Sequence, residues 1–334
     1  MFLHRYCQYT LVDPPFALYC AENNKKLKMR TAMNASLCIA LVFVAGTWAS
    51  AESSVWKATR DGSTIYLGGT CHVLRPTDYP LPAEFDEAYG ASETIVFETD
   101  MGALKDPSTQ QAILAKATYD DGSTVEEHLS AEAYALLSSY CASNNVPLDA
   151  LKQFKPSMIV ITIMTMELMK LGVMMEGVDT FYDQKAIADG KTREFLETVE
   201  QQIDFVFGMP ESNDNKFVTH SISEIGLLPE VYESLVGAWR TGDMGKLGEL
   251  MISELKEEMP QLYEELLTDR NEAWMPRISA FHKTPQVEFI LVGAGHLVGP
   301  AGIIATLEKQ GFQVERVIAS KKSPEKVGAP AMAE

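Results

Sequence analysis

Two histidines occupy matching surroundings near opposite ends of the chain. Thr64-Ile-Tyr-Leu-Gly-Gly69-Thr-Cys-His72 and Phe289-Ile-Leu-Val-Gly-Ala-Gly-His296-Leu-Val-Gly299 each carry a β-rich apolar run into Gly-x-x-His. Glycine at the end of a strand lets the backbone turn, which leaves the imidazole at the strand's tip. A single motif of this kind describes many ordinary loops. Two of them at the carboxyl ends of parallel strands describe a site, because ligands and catalytic groups of open α/β sheets gather at that edge. A third run, Glu93-Thr-Ile-Val-Phe-Glu98-Thr-Asp100, ends an apolar strand in two carboxylates. Two imidazoles with Glu98 or Asp100 are donors that zinc, manganese, iron or cobalt accepts. The same groups without a metal can share a proton-transfer role. Arg270, followed by Asn271 and then Trp274, can hold a carboxylate or an oxyanion, or pair with one of the many acidic side chains.

Several familiar chemistries are excluded. The chain has no Gly-x-Ser-x-Gly elbow, no His-Glu-x-x-His helix and no phosphate-binding Gly-x-x-x-x-Gly-Lys-Ser/Thr loop. Gly293-x-Gly295-x-x-x-Gly299 has the wrong spacing for a dinucleotide fingerprint, and the chain ends one strand later. His128, His220 and His282 have no partners at ligand spacing.

The elements that must position these groups follow from pattern. Val55 to Arg60 alternates, Asp61-Gly62-Ser63 signals a turn, and the strand after it delivers His72. Pro82 opens a helix with Phe85, Ala88 and Tyr89 on one face, and the Glu98 strand follows. Strand, helix and strand imply a crossover and a parallel pair, which puts His72 and Glu98 on one sheet edge. The chain's end repeats this grammar: strand Val287 to Val292, a helix from Gly299-Pro300 through Leu307, and strand Phe312 to Ile318. The expected fold is α/β, a central mostly parallel sheet built from N- and C-terminal βαβ units with a large helical middle segment. Within that middle, Pro156 to Gly172 is apolar nearly all round. Its length, Glu167 and Lys170 argue against a membrane span and for a buried central helix. Met244 to Leu267 reads as one acidic helix.

The first fifty-one residues read differently. Lys25 to Arg30 is basic, Leu37 to Trp48 is apolar, and Ala49-Ser50-Ala51 is a small-x-small cleavage pattern. Residues 1–51 are therefore expected to be a non-mature extension with a signal peptide, 52–319 the α/β domain, and the polar, Pro/Gly/Ala-rich 320–334 a disordered tail. The product is expected to be exported, periplasmic or extracellular, without stable membrane insertion after cleavage. A formal charge of −18 argues against nucleic acid as a partner. Past the leader only Cys71 and Cys141 remain of five cysteines, and both are expected to be free thiols.

The ordered set of motifs resembles the TraB/GumN family, which includes the Tiki-type proteins, and its bacterial GumN-like branch in particular. The resemblance rests on Gly69-Thr-Cys-His72, Phe97-Glu98-Thr-Asp100, Glu176-Gly-Val-Asp179, Leu196-Glu-Thr198 with Gln201, Ala238-Trp-Arg-Thr-Gly-Asp243, Asp269-Arg-Asn271 with Trp274, and Val292-Gly-Ala-Gly-His-Leu-Val-Gly299. It implies an α/β fold with both Gly-x-x-His motifs in one cleft, and a metal-dependent hydrolase of metalloprotease type. It also matches Glu98 and Glu197 to the family's acidic positions and Arg270 to its arginine. On this basis His72, His296 and Glu98 are expected to hold a divalent ion (manganese, cobalt or zinc), Glu197 to act as general base and Arg270 to stabilise the oxyanion. The expected substrate is a peptide or protein. The alternatives are a non-catalytic binder of peptide, glycan or metal, and a metal-free hydrolase with a histidine base.

Overall fold

A computed structural model describes residues 53–208 and 213–319, all within one compact unit. The leader expected over 1–51 and the tail over 320–334 lie outside the described residues. Six strands, β1 (Val55–Arg60), β2 (Ser63–Thr70), β3 (Thr94–Phe97), β4 (Thr192–Phe195), β5 (Glu288–Gly293) and β6 (Gln313–Arg316), form one sheet in the order β4-β3-β5-β2-β1-β6. Neighbours from β4 to β2 pair in parallel, and β1 is antiparallel to both β2 and β6. Five strands thus point one way and β1 alone is reversed. The reversal is local: Asp61 and Gly62 both take positive φ, the two-residue hairpin turn that closes Arg60 onto Ser63.

The expected parallel pair of β2 and β3 is opened by one position, into which β5 inserts. The composition of β5 explains why. Every residue from Glu288 to Gly293 is buried. Phe289 and Leu291 enter the core on one face, and Ile290 and Val292 enter the core on the other. A strand apolar on both faces belongs in the interior of a sheet covered on both sides. Across the first of these cores Trp239 is fully buried and donates from Nε1 to the carbonyl of Gly69 at 2.6 Å.

The glycines before His72 work differently from the turn expected of them. Gly69 lies inside β2, and neither it nor Gly68 has positive φ. They provide room: a Cβ on Gly68 would stand 2.7 Å from Leu291 Cδ2, and one on Gly69 would stand 3.2 Å from Ala294 Cα.

Two helical expectations are corrected. The helix Pro156–Lys170 is not buried all round. It shares a separate core with Ala131–Ser143 and Asp214–Glu224, where Leu137, Ile159, Ile163 and Val218 are fully buried, while Met169 is 62% exposed. Its outward face is therefore apolar by composition and solvent-facing by packing. Among the described residues no helix is long and apolar enough to cross a membrane. Met244 to Leu267 is not one helix either, because Pro260 cannot donate to the preceding turn and breaks it. Two π-helical turns, Glu249–Ser253 and Glu264–Thr268, flank the break, and the second runs into the helix Asp269–Ala280 that carries Arg270.

Candidate active site

The parallel strands end level with one another. Thr70 pairs with Gly293, and Phe97 pairs with both Leu291 and Phe195. His72, Glu98, Glu197 and His296 all lie within three residues of those carboxyl ends. The β3/β4 ladder continues past the strands, with Leu196 N donating to Phe97 O and Glu197 N to Glu98 O, both at 2.9 Å. Sheet geometry therefore sets the two glutamates side by side. Arg270 arrives from the helix Asp269–Ala280. All five residues expected from the sequence are brought into one cluster; Asp100 instead turns away to cap the backbone of Gly102 and Ala103.

His296 is buried, and its ring is fixed from both sides. Asn271 Nδ2 donates to the carbonyls of His296 and Ala301 at 3.2 and 3.1 Å. That orients the amide so that its Oδ1, 2.8 Å from His296 Nδ1, accepts the imidazole proton. His296 is therefore the Nδ1–H tautomer with its lone pair on Nε2, and Nε2 accepts from Arg270 Nη1 at 3.2 Å. Burial pushes its pKa down to about 3, so the ring is neutral at pH 7.

His72 is oriented in the same way by a different residue. Asp179, buried at the start of the helix Val178–Asp189, accepts from His72 Nδ1 at 2.8 Å and from Thr70 Oγ1 at 2.8 Å. The Asp179 charge raises the His72 pKa to about 9. The side chain is 59% exposed, so water at its open face screens that attraction. The close approach of the two segments requires Gly177, whose Cβ would stand 2.1 Å from the Cys71 carbonyl oxygen. Cys71 itself is buried, and burial raises its pKa to about 12, which removes it as a nucleophile.

Arg270 ties the carboxylates together. Its Nε and Nη2 clamp Glu197 Oε2 and Oε1 at 3.1 and 2.8 Å, and Nη2 also reaches Glu98 Oε2 at 2.6 Å. Trp274 Nε1 adds a further bond to Glu197 Oε2 at 3.1 Å. The other Glu98 oxygen accepts Gly293 N–H at 2.7 Å and lies 3.8 Å from His296 Nε2. Burial pushes Glu98 up, but the Arg270 and His72 charges and the Gly293 N–H bond outweigh it and hold Glu98 below the usual carboxylate range. For Glu197 burial outweighs the arginine, and its pKa is raised.

These groups surround one small space. A Cβ added to Gly293 would stand 3.0 Å from His72 Nε2, 3.4 Å from Glu98 Oε1 and 3.6 Å from His296 Cδ2. Both imidazoles commit Nδ1 to a backing acceptor and turn Nε2 inward, which is how metal-binding histidines are usually held. Two imidazoles and a carboxylate are donor types that a divalent ion accepts. Among the described residues no three His, Cys, Asp or Glu side chains converge as a ligand group, and the cation in contact with Glu98 and His296 is Arg270.

Four participants were not assigned from sequence: Thr70, Asp179, Asn271 and Trp274. Asp179 stands in the first turn of a helix, where a carboxylate ordinarily complements the dipole, so its position masked its role. Asn271 stands in the Asp269-Arg-Asn271 motif but carries no role of its own there; its place one helical turn before Trp274 was the available signal.

A profile of the TraB/PrgY/gumN family matches residues 54–316. The metalloprotease TIKI2 of Danio rerio is 23% identical over 328 residues, covering 79% of this chain. The chain spans 61% of that relative's length. No solved structure matches.

Proposed function

The chain belongs to the TraB/PrgY/gumN family, and from that premise we propose that it is an exported hydrolase that cleaves peptide bonds with the help of a divalent metal ion. The observation that carries the proposal is the paired orientation of His72 and His296, whose Nδ1 atoms are held by Asp179 and Asn271 while Nε2 faces the gap at Gly293. The metalloprotease name of the relative supports the reaction class.

In this reading His72, His296 and Glu98 would hold the ion. When bound, it supplies a Lewis acid for the scissile carbonyl and a water of lowered pKa. Burial, which raises the Glu197 pKa, suits that carboxylate to take the proton of the attacking water. It does so after shedding one of its bonds to Arg270 or Trp274. Arg270, stacked on Trp274 at 4.7 Å, offers N–H groups to the developing oxyanion. Asp179 and Asn271 keep the imidazoles in the required tautomers.

A second reading has its own support. His72 paired with Asp179 is a dyad with an open Nε2 edge that can act as general base once the ring is neutral, above its raised pKa, and Arg270 supplies a positive charge, so a metal-free hydrolase needs no additional group. Digestion of a peptide library by chelated protein, with and without added zinc, manganese or cobalt, separates the two. The metal reading expects cleavage only after re-addition. Cleavage that persists in chelator supports the dyad, and metal-dependent binding without product supports a non-catalytic binder.

A further inference from the structure

Arg270 stands where the site would be expected to receive its ion. Its Nη2 is 2.6 Å from Glu98 Oε2 and its Nη1 is 3.2 Å from His296 Nε2. One guanidinium thus occupies two of the three proposed ligands. A divalent ion and a guanidinium sharing one carboxylate in a buried site repel each other strongly, because little water intervenes to screen them. The single lone pair of His296 Nε2 cannot serve Arg270 Nη1 and an ion at once, so both cannot be held in these positions together.

The arginine has other supports. Its fork onto Glu197 uses Nε and Nη2 and does not depend on Glu98 or His296. The guanidinium carbon lies 4.7 Å from the Trp274 ring centre and 5.5 Å from that of Phe205, faces that attract a cation. Nη1 also reaches the carbonyl of Leu266 at 3.3 Å. That carbonyl belongs to the π-helical turn Glu264–Thr268, which runs into the helix carrying Arg270.

We infer that Arg270 is a resident cation that competes with the divalent ion for Glu98 and His296, and withdraws from both while keeping Glu197 when the ion binds. This rests on the metal reading above and specifies its regulation. The N–H groups released from Glu98 and His296 are then the ones free to meet a substrate oxyanion, so loading the ion and exposing the oxyanion donors become one event. Metal affinity is correspondingly set by Arg270 as much as by the ligands.

The test is a calorimetric titration of the full chain with zinc, manganese and cobalt, in parallel with the double variant Arg270→Gln/Glu197→Gln. The pair removes one charge of each sign, so fewer buried carboxylates are stranded than with Arg270→Gln alone. The expected result is a dissociation constant at least tenfold lower for the variant than for the wild type. Equal or weaker binding by the variant, with clear binding by the wild type, overturns the competition and leaves the metal site standing. Binding by neither removes the metal site and the inference with it. A second measurement keeps the test independent of the variant's folding. In a crystal of wild-type protein soaked with zinc, the Arg270 to Glu98 contact should open beyond hydrogen-bond range with the Glu197 fork intact. A zinc ion at the histidines with that contact unchanged overturns the inference.

Discussion

Replacing Gly293 by alanine probes the gap at the centre of the site while sparing the backbone. Gly293 has φ −49° and ψ 136°, which alanine adopts without strain. The substitution alone reduces unfolded-state freedom and contributes about 0.4–1 kcal/mol of stability. Against this, the new methyl lies 3.0 Å from His72 Nε2 and 3.4 Å from Glu98 Oε1, so the imidazole has to retreat by a few tenths of an ångström. Overpacking of this kind costs about 1–3 kcal/mol, nearer the lower figure here because the His72 ring is 59% exposed and can move. The net change in stability is therefore within about 2 kcal/mol. Function is less tolerant. Metal–ligand distances hold to about 0.2 Å, so a displaced ring and a filled gap should weaken metal binding and peptide turnover by about a hundredfold or more. Gly90→Ala serves as the control, since its Cβ meets nothing within 4 Å and lies in the helix Ala83–Ala91. It should gain about 0.5–1 kcal/mol and leave function unchanged. Urea denaturation, metal titration and peptide turnover on the three proteins decide the matter. A Gly293→Ala protein that keeps wild-type metal affinity and turnover would falsify the placement of the site.

Three further outcomes follow from the charges. Because Asp179 raises the His72 pKa from 6.5 toward 9, the ion pair stabilises the fold below pH 6.5 and loses that contribution as pH rises through the folded value. Asp179→Asn should move the His72 titration, followed by imidazole NMR, back toward 6.5 and shift the alkaline rise of metal binding to lower pH; an unmoved titration contradicts the dyad. Burial depresses His296 from 6.5 to about 3, so its contribution is present above 6.5 and is lost as pH falls toward 3, where the unfolded chain takes up a proton that the folded one refuses. His296→Gln should therefore lose less stability than wild type between pH 7 and pH 4.5 in urea melts, and an equal loss argues against a neutral buried ring. Asn271→Asp places a carboxylate against His296 Nδ1 and should raise the pKa of that ring, seen as a titration entering the range between pH 4 and 7; an unshifted His296 contradicts the assigned contact.

What was legible in the sequence divides along physical lines. The α/β class, the motif histidines and Glu98 were readable because a strand's apolar run and its terminal polar residue are local patterns. The insertion of β5 between β2 and β3 was not, since strand order is decided by which faces are buried across the whole sheet. Burial on both faces of Glu288–Gly293 was the available clue. The exposed outer face of Pro156–Lys170 was misjudged because an apolar run does not say which side its neighbours cover. For Arg270 the sequence leaves open a carboxylate, an oxyanion or an acidic partner, and does not say which. Its bonds to Glu98, Glu197 and His296 reach across 172, 73 and 26 residues, which no local spacing announces.

The central claim, that histidines from the two ends of the chain share one ion, is met most directly by equilibrium dialysis of wild type, His72→Ala and His296→Ala against zinc, manganese and cobalt. The account predicts one equivalent bound by the wild type and at least a hundredfold weaker binding by each variant. Undiminished binding by either variant, with both proteins folded, contradicts it.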